Sequence, residues 1–175
     1  MSGSTPYRHI AVAVDDSPVS MAALDEARRL WAGGPGRLSV VHVAEPPPYV
    51  YAGPMMASAA AAWRDCSRQW LGEVVAPIEG AEAVLLTTEP SAEAVVEWAA
   101  RAGVDLLVAG AYRGPVARAL RGSFARHLAY NACSPVLLVG PGAGEAERED
   151  RPPRGGRRAR VPALEGAVQL APASA

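Results

Sequence analysis

Five short apolar runs recur along the chain, each set between polar or turn-forming residues. His9–Asp15 encloses IAVAV, Arg37–Val43 reads RLSVVHV, Ala83–Thr87 reads AVLLT, Asp105–Ala109 reads DLLVA and Val136–Val139 reads VLLV. Short continuous runs of this kind, rather than strict alternation, predict strands buried on both faces. Between them the period changes to that of a helix. Leu24, Ala27 and Trp31 share a face behind Ser17-Pro18, a capping serine followed by proline at the first helical position; Gly33-Gly34-Pro35-Gly36 stops that helix. A second helix is expected from about Ser58 to Val75, with Trp63, Cys66, Trp70 and Val74 on its inner face. A third carries Val95, Trp98 and Ala102 and is expected to start where Pro90 breaks the chain and Ser91 caps. A fourth, Ser123–Ala132, carries Phe124 and Leu128 at i, i+4. Strands near 9–14, 37–43, 83–87, 105–109 and 136–139, alternating with four helices, predict one α/β domain over 8–140: a parallel sheet with right-handed crossovers. The stretch from Ala44 to Met56, with three consecutive prolines, reads as a loop. Residues 141–175, rich in Pro, Gly, Arg and Ala and without periodicity, read as a disordered tail, except for a short helical turn near Leu164–Leu170.

One connection stands out. From Gly110 to Gly122-Ser123 the chain runs through a long loop containing Arg113, Arg118 and Arg121, with Arg126 following, in a window from 106 to 144 that holds no Asp or Glu. Long loops inside compact domains are usually functional or disordered, and the apolar Val116, Ala117, Ala119 and Leu120 favour function. The loop ends at a helix whose first-turn N–H groups lack intrahelical acceptors, with Gly122 leaving the backbone accessible and Ser123 as a capping hydroxyl. Such an end binds anions, phosphate above all.

Composition narrows the chemistry. The 175 residues contain no lysine, which removes the phosphate-binding lysine of a Walker A loop and any Schiff-base mechanism. A net charge of −1 points to no particular partner. Cys66 and Cys133 form no C-x-x-C pair and are expected to behave as small buried hydrophobes. His9, His42 and His127 lie on three different elements with no ligand-like spacing, so structural roles are expected. The N-terminus shows no charged segment followed by an apolar one, and no run is long enough to span a bilayer, so a cytoplasmic protein that binds neither membrane nor nucleic acid is expected. Asp15-Asp16 after the first strand suggests a receiver domain. That reading fails, because the third strand ends in Thr87-Thr88-Glu89 without an aspartate to phosphorylate, and no lysine exists to follow the fifth. No nucleophile, base and orienting group come together near the loop, so no designed catalysis is expected.

Val14-Asp15-Asp16-Ser17, His42-Val43, Asp105-Leu106-Leu107-Val108, Gly122-Ser123 and Ser134-Pro135-Val136 together resemble the universal stress protein family over Arg8 to about Val139. The resemblance implies an open, Rossmann-like sheet of order 3-2-1-4-5 with helices on both faces and a crevice where strands 1 and 4 meet. It also implies a stress-response or regulatory protein binding an adenine nucleotide, ATP or AMP, with or without Mg²⁺, and at most weak ATP hydrolysis. Nucleotide-binding members carry Gly-x2-Gly-x9-Gly-Ser/Thr after strand 4. Carried across, Gly110, Gly122 and Ser123 face the phosphates, while Asp15 and Val43 line the nucleoside end. The loop here is one residue shorter, so Arg113 or Tyr112 falls at the middle glycine. Gly114 could substitute by a local shift, and Arg113 could clamp a phosphate. The family also implies a homodimer through strand Val136–Val139. The alternative within the same fold is a nucleotide-free dimeric interaction module.

Overall fold

A computed structural model of the chain describes residues 7–32, 34–45, 56–88, 90–111 and 122–140. Strands β1 (His9–Ala13), β2 (Arg37–Val43), β3 (Ala81–Leu86), β4 (Leu106–Gly110) and β5 (Val136–Val139) form one parallel sheet in the order β3-β2-β1-β4-β5. Helices α1 (Pro18–Trp31), α2 (Met56–Val75), α3 (Ser91–Ala102) and α4 (Gly122–Asn131) join them. The expected basic loop, the proline-rich stretch 46–55 and the tail 141–175 lie outside the described residues.

The uninterrupted apolar character of β1 follows from its central place. Successive side chains alternate between faces. Ile10 and Val12 therefore join Leu38, Val40, Leu106 and Val108 under α1 and α2, where Ala23, Leu24, Ala27 and Leu71 meet them. Ala11 and Ala13 turn the other way, into a second core with Val41, Leu107 and Ala109, closed by Val95 and Ala99 of α3 and Leu128 of α4. Ile10, Leu107 and Leu128 are fully buried. Each such side chain contributes about 1.5–3 kcal/mol by leaving water, so the two cores rather than any polar pair hold the layers together.

Polar groups in the second core are paired. His9 Nδ1 donates to the Ala102 carbonyl (3.2 Å), which leaves Nε2 to accept the Ser39 hydroxyl (2.8 Å). Ser39 lies 3.3 Å from the Glu82 carboxylate, which also receives Arg37 at 3.0 Å. Burial pushes the His9 imidazole below its usual pKa; the hydrogen bond to Ala102 acts against this, nearby Arg37 adds to it, and Glu82 and Asp105 oppose it. The Asp105 carboxylate accepts the N–H groups of Arg8 (2.8 Å) and His9 (3.0 Å), fastening the start of β1 to the start of β4.

Several boundaries differ from the expectations. β3 begins at Ala81 because its pairing with β2 starts at Leu38↔Ala81, and β4 extends to Gly110, which pairs with Val139. Ser91 does not cap α3. Pro90 occupies the cap position without a side-chain hydrogen bond, and Ser91 N–H donates instead to the Glu45 carboxylate at 2.8 Å. Both cysteines are exposed, not buried: Cys66 falls off the inner face of α2, which Trp70, Leu71 and Val74 fill, and Cys133 lies in the turn after α4. α4 begins at Gly122, so Ser123 lies inside the helix rather than before it.

Candidate functional site

β1 passes into α1 on one face of the sheet, and β4 leads towards α4 on the other, so the chain diverges at the C-terminal ends of two neighbouring strands. Ligands bind at such divergences because the diverging connections leave a crevice between them. Here the crevice has a volume of about 370 Å³, within the range of roughly 300–1,000 Å³ usual for small-molecule sites.

Asp15 forms its floor on the β1 side. Its Oδ1 accepts the Ser17 N–H at 3.0 Å and, in a short contact, the Ser17 hydroxyl; Oδ2 takes part in neither bond. Ser17 is extended (φ −85°, ψ 147°), and its side chain accepts the Ser20 N–H, capping α1. The Ser20 hydroxyl in turn donates to the Asp15 carbonyl at 2.6 Å. Asp15 therefore belongs both to the turn that starts α1 and to the crevice wall. Both roles are open to it because a carboxylate has two oxygens.

On the β2 side the wall is His42, half-buried Val43 and Glu45. His42 Nδ1 donates to the Val14 carbonyl (2.9 Å) and its ring tilts against Trp70, which fixes the imidazole as part of the scaffold. Ala44 N–H continues the β2–β3 ladder to the Leu86 carbonyl, so Glu45 is held directly at the end of that ladder.

Gly110 ends β4 and faces the same space. A Cβ there would stand 2.9 Å from the Val19 carbonyl oxygen and 3.1 Å from the Ser20 nitrogen, so a bare backbone is what lets the first turn of α1 lie against β4. The glycine has a packing reason that owes nothing to a ligand. Gly122 and Ser123 lie in the first turn of α4, and Phe124 and Ala125 of that turn line the crevice. Arg113 and Gly114 lie outside the described residues.

The structure thus brings Asp15, Val43 and Gly110 together and starts α4 beside them. Sequence reasoning missed Glu45, Val95, Phe124 and the serine pair Ser17–Ser20. A signal existed for Glu45, since it lies two residues beyond a recognised wall residue, on the ligand-binding edge of the sheet. Among the described lining residues, Asp15 and Glu45 carry charge and no arginine appears. Carboxylate acceptors beside apolar Val43, Val95 and Phe124 suit a flat group bearing hydroxyl or amino donors. Ser17 spends its hydroxyl on capping and on Asp15, which leaves it no role as a nucleophile. Among the described residues no three His, Cys, Asp or Glu side chains cluster as a metal site, and no helix is long and apolar enough to cross a membrane.

The model of the universal stress protein family matches residues 6–140. Among solved structures, a universal stress protein family member from Burkholderia pseudomallei is 28% identical, with 76% of this chain and 96% of that one covered at a TM-score of 0.54. One from Arabidopsis thaliana with AMP bound is 20% identical, covering 78% and 94% at 0.54. A universal stress protein in complex with cAMP is 24% identical, covering 76% and 96% at 0.52. No curated protein matches.

Proposed function

The chain belongs to the universal stress protein family, and from that premise we propose that it is a cytoplasmic stress-response or regulatory protein whose crevice binds an adenine nucleotide, ATP or AMP. The observation that carries this reading is the 370 Å³ crevice itself, with the Asp15 oxygen that Ser17 does not bind on one side and the first turn of α4 on the other. Asp15 Oδ2 accepts a ribose hydroxyl, Val43 packs on the base, and the Gly122-Ser123 turn receives phosphate through backbone N–H groups. Gly110 shapes the floor, and Gly114 and Arg113 complete the phosphate side, with Mg²⁺ as counter-ion for a triphosphate. AMP and cAMP in two structural neighbours support an adenine ligand. Binding changes conformation or partners; turnover is at most weak hydrolysis, since among the described residues the wall carries no activated nucleophile.

Calorimetric titration with ATP, ADP and AMP, with and without Mg²⁺, tests this directly. Saturable binding that Gly122→Val abolishes and Arg113→Ala weakens, both variants remaining folded, is the expected result. Absence of binding by the parent chain returns the protein to the second reading, a nucleotide-free dimeric module. Part of that reading has its own support: β5 is a sheet edge, its Leu138 is exposed, and an uncovered edge offers unpaired backbone groups to a second copy.

A further inference from the structure

The crevice is bordered by the starts of three helices, through Ser17 and Ser20 of α1, Ser91 of α3, and Phe124 and Ala125 of α4. Each helix start attracts an anion, because its first N–H groups are unpaired and its dipole is positive there. A phosphorylated ligand would meet several competing sites in one small space. The start of α1 is closed by Ser17, with the Asp15 carboxylate bonded to Ser17 N–H. The start of α3 differs in kind, because the residue at its cap position is a proline. Pro90 has no capping side chain, and the group that arrives is the carboxylate of Glu45, from the segment just beyond β2 and 46 positions away in sequence, at 2.8 Å from Ser91 N. The first-turn acid of α3, Glu93, is engaged elsewhere, facing His127 of α4 at 3.7 Å.

We propose that Glu45 is a specificity-determining residue, an internal anion that holds the phosphate-attracting start of α3 and so admits a nucleotide in one orientation, nucleoside towards β2 and α3, phosphates towards α4. The proposal deepens the nucleotide reading and rests on it for the identity of the ligand. Asp15 and Glu45 make the β1–β2 side of the crevice rich in acceptors. The nucleoside supplies hydroxyl and amino donors to match them, whereas a phosphate brought there meets two carboxylates and a helix start already satisfied. The negative charge matters as well as the hydrogen bond, and the two can be separated.

Glu45→Gln keeps an acceptor for Ser91 N–H and removes the charge; Glu45→Ala removes both. Backbone amide resonances of Ser91 and Ala92 report occupancy of the α3 start, with pyrophosphate as the probe and adenosine, AMP and ATP titrated in parallel. In the parent chain pyrophosphate is expected to leave these amides unmoved. In both variants they shift with saturation, at an affinity at least about five-fold above any the parent shows and weakening with salt. Faster hydrogen exchange at Ser91 is expected in Glu45→Ala alone. If pyrophosphate shifts Ser91 equally in the parent chain and the variants, or in none of them, the role of Glu45 is overturned. Failure of adenosine, AMP and ATP to perturb any crevice residue would instead overturn the nucleotide reading, and the pyrophosphate result would still judge Glu45.

Discussion

Glycines at the two ends of the basic loop, Gly110 and Gly122, look equivalent in sequence but answer to different constraints. At Gly110 the obstacle to a side chain is the α1 backbone, at 2.9 Å from the position a Cβ would take. Gly110→Ala is therefore expected to destabilise the fold by about 1–3 kcal/mol, read as a lower urea midpoint with or without ligand. A loss of nucleotide affinity at unchanged stability would contradict the packing role. The reverse substitution is favourable at Ala32, where α1 ends in a left-handed conformation (φ 44°) that places an L side chain under strain. Ala32→Gly is expected to raise stability by about 0.5–1 kcal/mol, the relief of strain exceeding the extra freedom given to the unfolded chain. A lower urea midpoint would show that the strain is already relaxed.

Among the described elements, β5 is, like β3 at the opposite side, an edge strand of the sheet. Its exposed Leu138 lies on that edge strand, and pairing of two copies there is the expected dimer contact. Leu138→Lys places a charge on it and is expected to yield monomers in sedimentation where the parent chain gives dimers; unchanged dimers would move the contact to another surface. The elements themselves were legible in the sequence, because a strand buried on both faces and a helix packed on one leave different periods. β1, β2 and β4 lie in the middle of the sheet and read most clearly. Strand order was not legible from those periods, since they say which face is buried and nothing about which strand lies beside which; it came from the family resemblance. The site was legible where one residue acts locally, as with Asp15 and Val43. It was not legible at α3, where Ser91 looks like a cap but the acceptor is Glu45, brought there only by the β2–β3 pairing that sets the end of one strand beside the start of a helix.

At the scale of the whole molecule, the buried His9 couples the sheet to pH. Its folded pKa lies below the usual 6.5, so the unfolded chain takes up a proton first as the solution is acidified. Stability from this group is full above about pH 6.5 and is lost as pH falls through the folded value, with a slope of at most about 1.4 kcal/mol per pH unit. Urea unfolding at pH 7.5, 6.5 and 5.5 should show that decline, and His9→Gln should flatten it over the same interval; an equal slope in the variant would assign the proton elsewhere. The bonds from Asp105 to the backbone of Arg8 and His9 join residues 97 and 96 positions apart. On a ribosome adding about 5–20 residues per second, the inner edge of β1 waits some 5–20 s for β4 to be made. The crevice, which needs both strands, cannot exist before β4 is made, and until then β1 is an open hydrophobic edge in a crowded cell.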